Sequence, residues 1–190
     1  SMEPYTQLGR PGGPLMLDSD LRQVARTDEE LRTGQLADAL HKAVDVIAAA
    51  TDVHEIRHAI DVDPPAAPAQ LQGFLSQRDE RFPRMAGLEL RAYLSELSYG
   101  PLPPCVTIAK LLRSVYGESA RRTPHFYASY VITRLLAGKP LDSRAEPPTD
   151  AVALLELLCS TPEPTLRRQS TELWQTLYGD VLVQPRQDAN

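Results

Sequence analysis

The sequence predicts a mainly α fold, a single helical domain over residues 18–183. Three observations predict it. Apolar residues recur at three- and four-residue steps through most of the chain. Proline and glycine clusters cut that pattern into helix-length pieces. No strong run of alternating apolar and polar residues appears, so the only β element expected is a small one near the N-terminus, or a short strand near Val181–Val183.

Residues 1–17 contain Pro4, Gly9, Pro11, Gly12, Gly13 and Pro14 and read as an irregular lead-in or linker. Asp18 to Thr33 is polar, with Leu21, Val24 and Leu31 at roughly helical spacing. Leu36 to Asp61 is a stronger helix, with an apolar series at Leu36, Leu40, Val44, Ile47, Val53, Ile56 and Ile60. Asp63-Pro64-Pro65 ends it, because proline lacks the N–H donor and disfavours helix in the residue before it. A short helix is expected at 67–77 and a longer one at 84–99, with Leu88, Leu90, Leu94 and Leu97 on its apolar face and Gly100 just past its end. Pro101, Pro103 and Pro104 then make a rigid turn. Helices follow at 106–116, 124–137, 149–159 and 165–178, with Thr149 or Asp150 as a cap, and residues 184–190 read as a frayed tail.

At 190 residues, with 42% hydrophobic and 24% charged, the chain is of ordinary globular composition and fits one domain. A net charge of -5 argues against a nucleic-acid partner. No apolar run approaches the ~20 residues of a membrane span. Ser1 precedes Met2, which reads as a remnant ahead of a removed native terminus, so a missing signal peptide leaves both the bacterial cytoplasm and export open. Cys105 and Cys159 lack CxxC spacing, so no zinc knuckle or redox pair is expected; the two could pair with each other, but the plainer reading is two buried thiols.

The chemistry is concentrated at His54-Glu55-Ile56-Arg57-His58, an HExxH motif. On a helix, residues i and i+4 share a face, so both imidazoles can bind one metal ion. Zinc accepts neutral imidazole and needs about three protein ligands when catalytic. Glu55, next to the first histidine, is placed to act as general base and then acid. The same five residues also read as a solvated face whose His54, Glu55, Arg57 and His58 pair at i, i+3 and i, i+4. Asp52 and Arg57 put charges in or beside the motif and fit that second reading.

A third ligand must come from elsewhere. Glu89-Leu90-Arg91-Ala92-Tyr93-Leu94-Ser95-Glu96 supplies two carboxylates two turns apart on one helix face. Together, the HExxH run and this glutamate helix resemble the gluzincin type of zinc metallopeptidase, in its poorly characterised bacterial branch. The resemblance covers about 36–136. It implies a zincin-like fold, a Zn2+ cofactor held by His54, His58 and Glu89, and hydrolysis of a peptide or protein substrate by zinc-activated water. Glu55 would be the proton carrier, with Glu96 behind the ligands or in Glu89's place. His125, in Thr123-Pro124-His125-Phe126-Tyr127-Ala128, would stabilise the transition state.

Other residues invite roles beside plainer readings. Tyr127 and Tyr130 can donate to an oxyanion or simply pack in the core. Asp61 can fix the tautomer of a ligand imidazole or lie exposed, as can Asp63. His41 is expected in solvent. Arg78, Arg81, Arg84 and Arg91 can bind a substrate carboxylate or form a solvated basic face. Trp174 and Tyr178 read as core or interface. A rival architecture needs no chemistry at all. Gly100, Gly138 and Gly179 end three similar helices 38 and 41 residues apart, a period that suits a HEAT- or armadillo-like protein-binding scaffold.

Overall fold

The computed structural model describes residues 37–61, 68, 71, 81–116, 123–141 and 150–184. Of these, 81% are helical, and no strand occurs among them. Val181–Val183 is irregular, so no strand forms there. The lead-in at 1–17, the polar segment at 18–33 with any small β element, most of the 67–77 helix, Asp63 and Arg78 fall outside the described residues.

Six helices are described: α1 (Ala37–Ile60), α2 (Arg81–Tyr99), α3 (Pro104–Tyr116), α4 (Pro124–Leu136), α5 (Ala151–Ser160) and α6 (Glu163–Tyr178). Their bounds follow local chemistry. At the start of α4 the Thr123 hydroxyl accepts from the Phe126 N–H at 3.1 Å, and Pro124 takes a position whose N–H would be orphaned anyway. Asp150 stands at the N-cap of α5 but makes no capping bond, since its carboxylate accepts from Lys139 at 2.7 Å instead. Gly179 closes α6 in the left-handed region, at φ 72°.

α2 is the centre of the fold and packs against α1, α4 and α6. Residues 90–98 on it are buried without a break, which no one-sided helix shows. Leu90, Leu94 and Leu97 join Ile108, Leu111, Ile132, Leu154, Leu166 and Trp174 in one core. α3 bridges α4 and α5. In a stacked repeat each unit touches only its neighbours. Here α6 returns to the central α2, so the similar helix ends at Gly100, Gly138 and Gly179 are caps and not repeat boundaries.

The end of α2 is held from a distance. The Arg167 guanidinium on α6 donates to the carbonyls of Leu97, Ser98, Gly100 and Leu102 at 3.0–3.4 Å. Carbonyls at a helix C-terminus have no partner within the helix, and a cation there also opposes the negative end of the dipole. Gly100 is required as well, because a Cβ on it would meet the Glu96 carbonyl oxygen. Arg167→Ala is expected to lower unfolding stability in urea by about 2 kcal/mol, with Lys recovering only part of the loss because it lacks the planar fork.

Cys105 and Cys159 form a disulfide, with Cα atoms 5.0 Å apart, and are half-buried. This corrects the reading of two buried thiols. Sequence spacing bears on knuckles and redox pairs; it is silent on the packing of α3 against α5 that brings these residues together.

Candidate metal centre

α1 buries Val44, Ala50, Val53, His54, Arg57 and Asp61. This stripe is helical in spacing but half polar, and it faces the polar residues of α2. His54 and His58 point to one side of α1, with their Nε2 atoms 3.1 Å apart. Glu89 on α2 meets them: Oε2 lies 3.2 Å from His54 Nε2, and Oε1 lies 3.5 Å from His58 Nε2. One ligand atom from each residue lies within 4.8 Å of the others. A tetrahedral zinc with bonds of ~2.0–2.1 Å separates its ligand atoms by about 3.3 Å, so the spacing suits such an ion. A hydrogen bond between the two imidazoles accounts for the 3.1 Å alone. Among the described residues His54 Nδ1 is buried without a hydrogen-bond partner, while Glu89 Oε2 faces histidine nitrogens, His125 Nδ1 at 2.9 Å and His54 Nε2 at 3.2 Å. A cation on the Nε2 side would draw on that oxygen and leave Nδ1 to donate. The residues present therefore fit a zinc ion.

The surroundings divide by face. Behind His54, Glu96 is 1% exposed, and its Oε2 lies 3.6 Å from Nδ1. Glu96 accepts from Thr107 Oγ1 at 3.2 Å and from Lys110 Nζ at 3.1 and 3.3 Å, both on α3. Of the two glutamates left open by the sequence, Glu89 is on the Nε2 side and Glu96 on the Nδ1 side. On the outer side, His125 Nδ1 approaches Glu89 Oε2 to 2.9 Å and pairs with the Tyr93 hydroxyl at 3.1 Å. The Tyr93 ring lies against His54, centroids 4.6 Å apart. His58 and His125 side chains are 24% and 41% exposed, and Glu55 is exposed on α1, so the cluster opens to solvent on this side.

The charges couple. Burial pushes the Glu89 carboxyl up, but His125, His54 and His58 outweigh it and hold it well below the usual carboxylate range. Burial likewise pulls His54 down, and Glu89 and Glu96 reverse it to a net rise. Burial, then Glu89, Glu96 and Glu55, push the Tyr93 phenol far up, so it stays a protonated donor.

Several expectations change here. Asp61 neither orients an imidazole nor lies exposed: it is buried and accepts from Arg91 Nε at 2.7 Å and Nη2 at 3.1 Å. Arg91 leaves the basic cluster, sitting 4.3 Å over the Trp174 ring and 4.6 Å over Tyr178, while Arg84 stays exposed. Arg57, within the motif, is buried beside Trp174, and its guanidinium donates to the Val183 carbonyl. That removes the solvated-face reading of the motif for Arg57 and His54. Tyr127 and Tyr130 are core residues packed on Phe126. Trp174 is core, and His41 is exposed. Tyr93, Thr107 and Lys110 went unassigned in the sequence. Tyr93 was within reach of it, one turn beyond Glu89 on the same face.

Comparison with known protein families, with curated proteins and with solved structures finds no match for this chain. Among the described residues no helix is long and apolar enough to cross a membrane.

Proposed function

We propose that the protein is a zinc-dependent metallopeptidase of the gluzincin type. The observation that carries this reading is the convergence of His54 Nε2, His58 Nε2 and the Glu89 carboxylate from two helices. His54, His58 and Glu89 would hold the ion. Zinc supplies a Lewis acid and a water acidified towards neutrality when bound.

The remaining work falls to the chain's own groups. Glu55 is exposed beside His54 and is suited to take a proton from water and return it to the leaving amine. His125 and the protonated Tyr93 hydroxyl, on the open side of Glu89, offer donors to the oxygen that gains charge. The substrate is a peptide or protein. The Cys105–Cys159 disulfide favours export over the cytoplasm, since such bonds persist in oxidising compartments.

Purified protein is expected to carry about one zinc per chain, and Glu55→Gln should keep the metal while losing about 100-fold or more in peptide hydrolysis. A chain that takes up no zinc at micromolar metal rules out the reading. Zinc uptake without cleavage of any peptide library would reduce it to a metal site without peptidase activity.

A further inference from the structure

We infer that Lys110 is a positioning residue for the metal-facing nitrogen of His54, acting through Glu96; this rests on the zinc site proposed above. An imidazole that binds metal through one nitrogen is oriented by what the other nitrogen donates to. For His54 the second nitrogen is Nδ1, which has no hydrogen-bond partner and faces Glu96 Oε2 at 3.6 Å. A shift of about 0.5 Å brings that pair into hydrogen-bond range.

Glu96 is fully buried and does not hold this position alone. Among the described residues, its carboxylate accepts two hydrogen bonds from Lys110 Nζ and one from Thr107 Oγ1. Lys110 is the ammonium paired with it, at 3.1 Å. Lys110 Nζ also lies 5.4 Å over the Tyr93 ring, whose centroid is 4.6 Å from that of the tilted His54 ring. One cation on α3 therefore grips both groups that flank the His54 ring. Without it the carboxylate keeps, among the described residues, the hydrogen bond from Thr107, and is free to turn from Nδ1. The ring then loses the acceptor that keeps its proton on Nδ1 and its lone pair on Nε2.

The test uses the full chain with Lys110→Met and Lys110→Arg. Zinc affinity is measured by competition with a chromophoric chelator. The His54 Nδ1–H is read by ¹⁵N–¹H NMR of zinc-loaded protein, as its rate of exchange with solvent, because without metal Glu89 Oε2, 3.2 Å from Nε2, competes for the ring proton. Lys110→Met should bind zinc about 10–100-fold more weakly and exchange its Nδ1–H faster, with helical circular dichroism unchanged. Lys110→Arg should restore most of both. Should Lys110→Met not fold, Thr107→Val is expected to move both readouts the same way by less. Parent-like zinc affinity, or an unchanged Nδ1–H exchange rate, in a folded Lys110→Met overturns the proposal. If the parent chain binds no zinc, the metallopeptidase reading fails and this proposal with it, whereas zinc bound equally well by parent and Lys110→Met overturns this proposal alone.

Discussion

If the proposed zinc site is right, Glu89→Gln is expected to abolish tight zinc binding, while Glu96→Gln should weaken it by about 10–100-fold, the usual effect of losing a group that only orients a ligand. Both residues lie on α2, and sequence spacing alone left them interchangeable. The difference rests on which nitrogen of His54 each carboxylate meets. Glu89 Oε2 is 3.2 Å from Nε2, whereas Glu96 Oε2 is 3.6 Å from Nδ1 and tied to Lys110. Glutamine keeps the shape of the side chain but not its charge, so a large loss at Glu89 reports ligation and not packing. Equal losses in the two variants would remove the distinction drawn between the two faces of His54.

The same site sets a pH dependence whose sign differs between metal-free and metal-loaded protein. In the metal-free chain the His54 pKa is raised above its usual 6.5 by Glu89 and Glu96, against an opposing burial effect. Its stabilising contribution is complete below the unfolded value and is lost as pH rises through the folded one. Glu89 is depressed below its usual 4.5, so its contribution is present above that value and is lost only as pH falls towards the depressed one. The metal-free pair therefore stabilises the fold most between about pH 4.5 and 6.5. Zinc needs the neutral ring. At the proposed site its affinity should rise with pH through the raised His54 pKa, with protons released on binding below that pKa. Titration calorimetry in buffers of different ionisation enthalpy counts those protons; zinc affinity that stays flat between pH 6 and 8 would contradict the coupling.

How much of this was legible beforehand depends on which physical signal each residue carries. The bounds of α2, α4 and α6 lie close to those read from apolar spacing, proline and glycine, because these are local effects. The buried face of α1 was misread in part. Ile56 and Ile60 extend the apolar series, yet Ile60 is 57% exposed, while Arg57 and Asp61 are 5% and 7% exposed. Apolar periodicity cannot see a stripe of paired charges. What buries Arg57 and Asp61 is Arg91 on α2 and Trp174 on α6, groups far along the chain. Of the cluster, the pairing of His54 with His58 could be read because i, i+4 geometry is local; a ligand shortage pointed to Glu89 and Glu96 alike, and only the family resemblance favoured Glu89. Lys110 and Thr107 could not, since their roles exist only once α3 lies beside α2.

The disulfide was open in the sequence but undecided for the same reason, and its removal is the largest stability change expected. Cys105 and Cys159 are 54 residues apart. Closing a loop of that length restricts the unfolded chain and stabilises the native one by about 4 kcal/mol on a chain-entropy account. The double variant Cys105→Ser, Cys159→Ser should therefore unfold in urea with its stability lowered by about 2–4 kcal/mol. Adding reductant to the parent should reproduce this, while reductant should leave the double variant unchanged. The cost should extend to the site. Cys105 opens α3, the helix that carries Thr107 and Lys110, and both hold Glu96 behind His54. Loosening α3 from α5 should therefore weaken zinc binding as well, by less than Lys110→Met because both donors remain in sequence. A double variant as stable as the parent would show that the packing of α3 on α5, and not the covalent link, holds this end of the domain.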